Sequence, residues 1–240
     1  MAAPVAPVTP GGSPDPTHGQ GAGDRRPIAA FDFDGTITKR DTMLLFFTAV
    51  RSRQAVARAF LRHSPRLLGA LRGGTARDRA KRLVCGDILG GLRSGEAEAA
   101  ARRTAHLVQR SLIRADTAAR IRWHQQEGHR VIVVSASFEA YVELVADSLG
   151  VREVIGTRWE VDDTGVLTGR LVGQNVRGAA KVDLLAGLLG DRFRLDHAYG
   201  NSGGDAAMLA RAEHPVWVGR RALPELGPAL GDGGPPAVRG

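Results

Sequence analysis

A chain of 240 residues, 43% of them hydrophobic, has the composition of a globular protein and room for one full α/β domain with a smaller insertion. The formal charge of +8 comes from thirty arginines spread over the whole chain beside three lysines, Lys39, Lys81 and Lys181, a bias without one basic patch or interleaved aromatics, so no nucleic acid is expected as a partner. The lone cysteine, Cys85, excludes an internal disulfide and a multi-cysteine metal site, so a reducing compartment or simple indifference to redox state is expected; no apolar run reaches the ~18 residues that a membrane span requires, and the expected location is cytoplasmic.

Residues 1–26 carry proline and glycine throughout with no apolar h-region, and read as a disordered tail and not as a signal peptide. Ile28 to Phe33 reads as a buried strand that Gly35 breaks. Between residues 42 and 120 there is no convincing strand. TMLLFFTAV, RQAVARAFL, RDRAKRLVCGDILGGL and GEAEAAARRTAHLVQRSL instead space their apolar residues as helices do. ADTAARIRWHQQEGHR reads as a helix closed by Gly128, VIVVSAS (131–137) as a second buried strand, and FEAYVELVADSLG as a helix ending at Gly150. VREVIGTRWEVDDTGVLTGRLVG alternates about a DDTG turn and predicts a hairpin. GAAKVDLLAGLLG predicts a helix, LDHAYGNSGGD a strand running into glycines, DAAMLARA a short helix and HPVWVG a last strand. From about Ala222 the chain reads as a second loose tail.

Strands alternating with helices predict a parallel, Rossmann-like sheet wrapped by helices, with ligands bound beyond the carboxyl ends of the strands. The expected division is an α/β core of residues 27–41 and 121–220, a helical insertion at 42–120, and tails at 1–26 and 221–240. Chemistry is therefore sought at Asp32–Thr36, Ser135–Phe138 and Gly200–Asp205. Residues two apart on an extended segment face the same side, so Asp32 and Asp34 share one space. Two carboxylates held together repel, and one has its pKa raised unless a hard cation such as Mg²⁺ binds their oxygens. Such an ion also draws in phosphate oxygens, beside which a carboxylate can act as nucleophile.

FDFDGT, VVSAS, RGAAKVDLL and YGNSGGD, in that order, resemble the four motifs of the haloacid dehalogenase superfamily, in the subclass IB arrangement of phosphoserine phosphatase with a helical, C1-type cap between the first two. The resemblance covers residues 28 to 218 or so. It implies a phosphomonoester hydrolase working through an aspartyl-phosphate, with Asp32 as nucleophile and Asp34 as the acid and then base. Gly35 and Thr36 shape the turn, Ser135 and the Ala136 amide, with Ser137 beside them, hold phosphoryl oxygens, and Lys181 balances charge. Mg²⁺ is implied at Asp32, the Asp34 carbonyl and a residue of the fourth motif. There this chain has Asn201 where relatives usually have an aspartate, which implies weaker metal binding, with Asp205 left to supply a carboxylate directly or through water; alternatively Asn201 is no more than a turn residue.

The implied partner is a small phosphorylated metabolite. Asp41, where phosphoserine phosphatases usually carry a glutamate, either receives a substrate amine or caps the helix of TMLLFF. Phosphoserine is the first candidate. A phospholipid head-group phosphate such as phosphatidylglycerophosphate is the alternative, and a catalytically weak phospho-ligand binder is a third reading, motivated by Asn201. The arginines of residues 51–82 form either a solvated face or a surface for anionic substrate or peripheral lipid contact. His63, His106, His124, His129 and His197 show no metal-ligating spacing and read as structural; Trp123, Trp159 and Trp217 read as core or core-edge.

Overall fold

The computed structural model describes residues 26–64 and 75–224; of the tails expected at 1–26 and 221–240, residues 1–25 and 225–240 lie outside the described residues. Six strands form one sheet in the order β4-β3-β2-β1-β5-β6. They are β1 (Ile28–Phe31), β2 (Arg130–Phe138), β3 (Glu153–Val161), β4 (Leu167–Val172), β5 (Leu195–Gly200) and β6 (Ala212–Trp217). All neighbours are parallel except β3 and β4, the hairpin predicted around DDTG. β1 lies at the centre and is buried along its whole length, which explains why its sequence is an unbroken apolar run. Its residues alternate between two cores. Ala29 and Phe31 face one that reaches into the helical insertion, while Ile28 and Ala30 face the other, with Leu185, Leu195 and Met208.

After β1 the described residues form four helices, α1 (Met43–Val50), α2 (Arg53–Arg62), α3 (Thr75–Leu89) and α4 (Ser94–Ser111). The chain leaves and re-enters the core at one neck. Thr38 pairs antiparallel with Ile113, the Lys39 N–H donates to the Leu112 carbonyl at 2.8 Å, and the Arg114 N–H donates to the Ile37 carbonyl at 2.9 Å. The expected boundary at residue 120 falls inside α5 (Ala115–Gln126), which packs on β2; periodicity alone had run the helical block on without registering the return at Leu112. α6 (Glu139–Ser148), α7 (Ala179–Leu189) and the short α8 (Ala206–Leu209) complete the fold.

The insertion also rests on the hairpin. Gly169 has φ 81° and lies so close to α3 that an added Cβ would stand 3.0 Å from Gly86 Cα, so these glycines permit backbone-to-backbone contact of strand and helix. Two expectations need correction. Trp217, read as core or core-edge, is 58% exposed, because β6 is an edge strand and the ring faces outward. The segment from Ala222, read as loose, is tied down as far as Pro224: the Leu223 N–H donates to Asp116 Oδ2 at 2.8 Å and Arg120 Nη2 donates to the Pro224 carbonyl at 2.6 Å. Among the described residues no helix is long and apolar enough to cross a membrane.

Candidate active site

β1 and β5 end side by side while β2 runs on past them from Val134 to Phe138, and the residues at this edge meet. Asp32 follows β1 directly, with its N–H donating to the Tyr199 carbonyl of β5 at 2.8 Å. The turn after it is sharp: the amides of Ile37 and Thr38 both donate to the Phe33 carbonyl, at 2.8 and 3.0 Å, and Gly35 takes φ 76°, a conformation that strains other residues. An added Cβ there would lie 1.9 Å from Asn201 Nδ2, so the glycine makes room for the Asn201 amide against the turn. Asp32, Asp34, Asn201 and Asp205 all border one cavity.

Lys181, in the first turn of α7, is 1% exposed and reaches the centre of this cluster. Its ammonium donates to Asp32 Oδ1 at 2.7 Å, to Asp205 Oδ1 at 2.7 Å and to the Val134 carbonyl at 2.6 Å. A buried cation with this set of acceptors stays protonated; although burial alone would lower its pKa, the two carboxylates hold it above its ordinary value. Asp205 is held below the usual carboxylate range: burial works to raise it, and Lys181 with the Ser202 donors overcomes that. Its Oδ2 accepts from the Ser202 amide and hydroxyl, both at 2.9 Å, so both oxygens are engaged in fixing Lys181 and the loop. Asp32 is pushed up by burial, opposed by Lys181, while Thr36 Oγ1 donates to its Oδ2 at 3.0 Å.

Asp34 is built differently. Its Oδ1 accepts from the Thr42 amide at 2.8 Å and the Thr42 hydroxyl at 2.7 Å, and its Oδ2 accepts from the Ser137 hydroxyl. Burial first, and the charge of Asp41 second, raise its pKa to about 7, so near neutrality the group populates both protonation states. A carboxyl poised there suits proton transfer in either direction.

The other expected residues fall as follows. Ser135 is fully buried behind the cavity wall; its oxygen accepts from the Ser137 N–H at 3.0 Å, which leaves its own O–H able to donate. Ala136 and Ser137 line the cavity where the β2–β3 register shifts between Val134 and Phe138. Asp41 is exposed, borders the cavity and accepts from the Met43 N–H at 2.8 Å, so it does hold the start of α1.

Sequence reasoning missed a second polar cluster on the same cavity. Lys81, from α3, crosses to the core and donates to the Ala136 carbonyl and to Asn175 Oδ1, with Thr157 Oγ1 at 3.3 Å. Burial lowers its pKa to about 8, and Asn175 Nδ2 donates in turn to Asp78 Oδ1 at 2.6 Å. Arg177 also borders the cavity, its guanidinium lying over Gly204, where an added Cβ would meet Nη1 at 2.3 Å. The cavity holds about 1950 Å³ and continues into the insertion, where Leu45, Phe47, Val56, Phe60 and Val84 give it an apolar wall.

Comparison with known proteins bears on the family and the fold. The family model described as haloacid dehalogenase-like hydrolase matches residues 29–210. Protein CicA of Caulobacter vibrioides is 34% identical over 186 residues, covering 78% of this chain and 83% of its own. "Probable phosphatase Rv3661" of Mycobacterium tuberculosis is 29% identical over 208 residues, covering 84% and 72%. A structure of a protein of unknown function from Bordetella pertussis Tohama I superposes with a TM-score of 0.66 at 23% identity over 78% of this chain and 87% of that one. A phospho-aspartyl intermediate analogue of phosphoserine phosphatase superposes at 0.56 with 22% identity, over 79% and 84%. These last two share the fold. On the match across its core and the agreement of fold and relatives, the chain belongs to the haloacid dehalogenase-like hydrolase family.

Proposed function

We propose that this hydrolase cleaves phosphomonoesters through an aspartyl-phosphate on Asp32, with Mg²⁺ as its cofactor. The observation that carries the reading is that two buried carboxylates keep different partners: Asp32 lies 2.7 Å from the Lys181 ammonium, while Asp34 is held by the Thr42 and Ser137 donors with its pKa raised to about 7. A carboxylate beside a fixed cation suits nucleophilic attack, and one that titrates near neutrality suits proton transfer.

In the first step a carboxylate oxygen of Asp32 attacks phosphorus, and the bond from phosphorus to the leaving oxygen breaks as Asp34 gives that oxygen its proton. In the second, Asp34, now ionised, takes a proton from water as the water oxygen attacks phosphorus. Phosphate leaves, Asp32 is regenerated and Asp34 regains its proton. Lys181 offsets the charge that gathers around Asp32 and the phosphoryl group, held there by Asp205. Thr36 orients Asp32, while Thr42 and Ser137 orient Asp34. The Ala136 amide is assigned to the phosphoryl oxygens; Ser135, the other residue that the resemblance implies there, lies behind the cavity wall and accepts from the Ser137 N–H, so it takes part once its hydroxyl reaches the cavity.

The residues fit Mg²⁺ by their donor chemistry: Asp32, the Asp34 carbonyl and Asn201 Oδ1 can each offer an oxygen, around a turn against which Gly35 makes room for the Asn201 amide. Asp205, with both oxygens engaged, is placed to act through water. When bound, the ion would screen the charge on the transferring phosphoryl group.

Phosphoserine remains a candidate substrate, with Asp41 beside the cavity. One observation favours the alternative, a phosphomonoester carrying an apolar portion such as a phospholipid head-group phosphate. Single small-molecule sites typically occupy ~300–1,000 Å³, whereas this cavity is larger and walled with leucine, valine and phenylalanine on the insertion side. Hydrolysis of p-nitrophenyl phosphate with Mg²⁺, wild type against Asp32→Asn, tests the class: loss of turnover in the variant is expected, and a variant that keeps wild-type turnover contradicts it. No Asp32-dependent turnover at any Mg²⁺ concentration would instead favour the phospho-ligand binder. A panel containing phosphoserine and phosphatidylglycerophosphate then separates the two substrate readings.

A further inference from the structure

We infer that the chain carries a second metal site, on the α5 side of the sheet away from the catalytic carboxylates, in which His124, His129 and His197 hold a transition ion of the Zn²⁺ type. One ring nitrogen from each histidine lies within 4.8 Å of the others. The three come from separate elements: His124 from the last turn of α5, His129 from the turn before β2, and His197 from β5. They converge because β2 and β5 flank β1, with Ile28 in register with Arg130 and Ala29 with His197. His197 is thus level with a residue three before Asp32, roughly 10 Å back along the strand at ~3.3 Å per residue.

The rings are in the state a metal needs. Burial, reinforced by the neighbouring imidazoles, lowers the pKa of His124 to about 2 and that of His197 to about 4, so both are neutral at pH 7. Nδ1 of His124 lies 2.7 Å from Nδ1 of His129, so one proton is shared between two nitrogens that could both be ligands. Nε2 of His124 lies 3.0 Å from the Tyr199 hydroxyl, which can take an Nε2–H and leave Nδ1 facing the ion, the outer contact that metal-bound histidines commonly have. Moving the shared proton to the far nitrogen of its ring frees both Nδ1 atoms with no net proton release. With Zn–N bonds of ~2.0–2.1 Å a tetrahedral pair stands ~3.3 Å apart, so the His124 and His129 rings would part by about half an ångström, while the widest separation in the group, up to 4.8 Å, would close by about 1.5 Å. Asp196 favours positive charge at His129 and His197, which partly offsets the Arg120 guanidinium near His124. Three neutral imidazoles without a carboxylate suit a borderline ion and not Mg²⁺, with water as the fourth ligand. Bound, the ion clips together segments 68 residues or more apart in sequence, an additional brace on the central strands.

The test uses full-length chelator-treated protein titrated with Zn²⁺ against a chromophoric chelator. One ion per chain is expected to bind in wild type and in Asp32→Asn, to be indifferent to excess Mg²⁺, to raise the unfolding midpoint, and to bind at least 100-fold more weakly in His129→Ala/His197→Ala. X-ray absorption of the wild-type one-to-one complex needs no variant and should show a nitrogen-rich shell with imidazole scattering. No saturable Zn²⁺ binding, an oxygen-only shell, or binding lost in Asp32→Asn and kept in the histidine variant would overturn the site; the last two would leave the catalytic reading intact.

Discussion

Replacing Asp34 by asparagine isolates proton transfer from everything else the site does. The amide is close in shape to the protonated carboxyl, its oxygen can still accept from the Thr42 amide and hydroxyl now at 2.8 and 2.7 Å, and Ser137 can turn to accept from the new NH₂. The fold should therefore survive while the proton that a carboxyl of pKa about 7 supplies near neutrality is gone. Loss of a positioned general acid or base costs ~10²- to 10⁴-fold. Its weight should differ between steps and substrates. Nitrophenolate leaves without a proton, so Asp34→Asn mixed rapidly with p-nitrophenyl phosphate should release one equivalent in a burst and then stall, because water attack has lost its base. An alkyl phosphate, whose leaving oxygen needs the proton, should give no burst and a loss of ~10²-fold or more in kcat/KM. Equal losses on both substrates without a burst would refute the assignment of Asp34 as acid and base.

Lys181→Met leaves Asp32 and Asp205 buried without the ammonium that now stands 2.7 Å from each, so besides abolishing turnover it should lower stability by ~3–5 kcal/mol in urea denaturation; a neutral effect would mean that the cluster tolerates uncompensated charge. Asn201→Asp should lower the Mg²⁺ concentration needed for half-maximal activity by adding a charged oxygen donor, and an unchanged value would remove residue 201 from the metal site. Acid should destabilise the protein below pH 6.5: unfolded histidine takes a proton near 6.5, while His124 resists to about 2 and His197 to about 4, so the unfolded chain binds more protons and stability falls as pH drops. His124 alone contributes up to ~1.4 kcal/mol per pH unit in that window; denaturant midpoints flat from pH 7 to 5 in metal-free protein would contradict its neutral burial.

What was legible in the sequence was what local pattern encodes. Asp32, Ser135 and Asn201 each follow an apolar run, Asp32 and Asn201 just beyond the ends of β1 and β5 and Ser135 in the last part of the longer β2, and Lys181 lies in the first turn of a helix, so a parallel sheet brings them together without further information. Lys81 was not legible because it stands among the arginines of a helix whose other cations look solvated. Its burial depends on α3 lying against β4 through Gly86 and Gly169, a contact between segments far apart in sequence. Asn175 and Asp78 were invisible for the same reason. The histidine cluster shows no ligand spacing along the chain, since positions 124, 129 and 197 are joined by strand order alone. The neck at Leu112–Arg114 escaped notice because its pairing with Ile37–Lys39 leaves no alternation long enough to read.

The central claim, that Asp32 carries the phosphoryl group, is tested most directly by acid-quenching the protein during turnover of p-nitrophenyl phosphate and mapping peptides by mass spectrometry. The account predicts a phosphoryl mass on Asp32, trapped in higher yield in Asp34→Asn and absent in Asp32→Asn. Steady turnover with phosphate on a different residue, or on none in any of the three proteins, would contradict it.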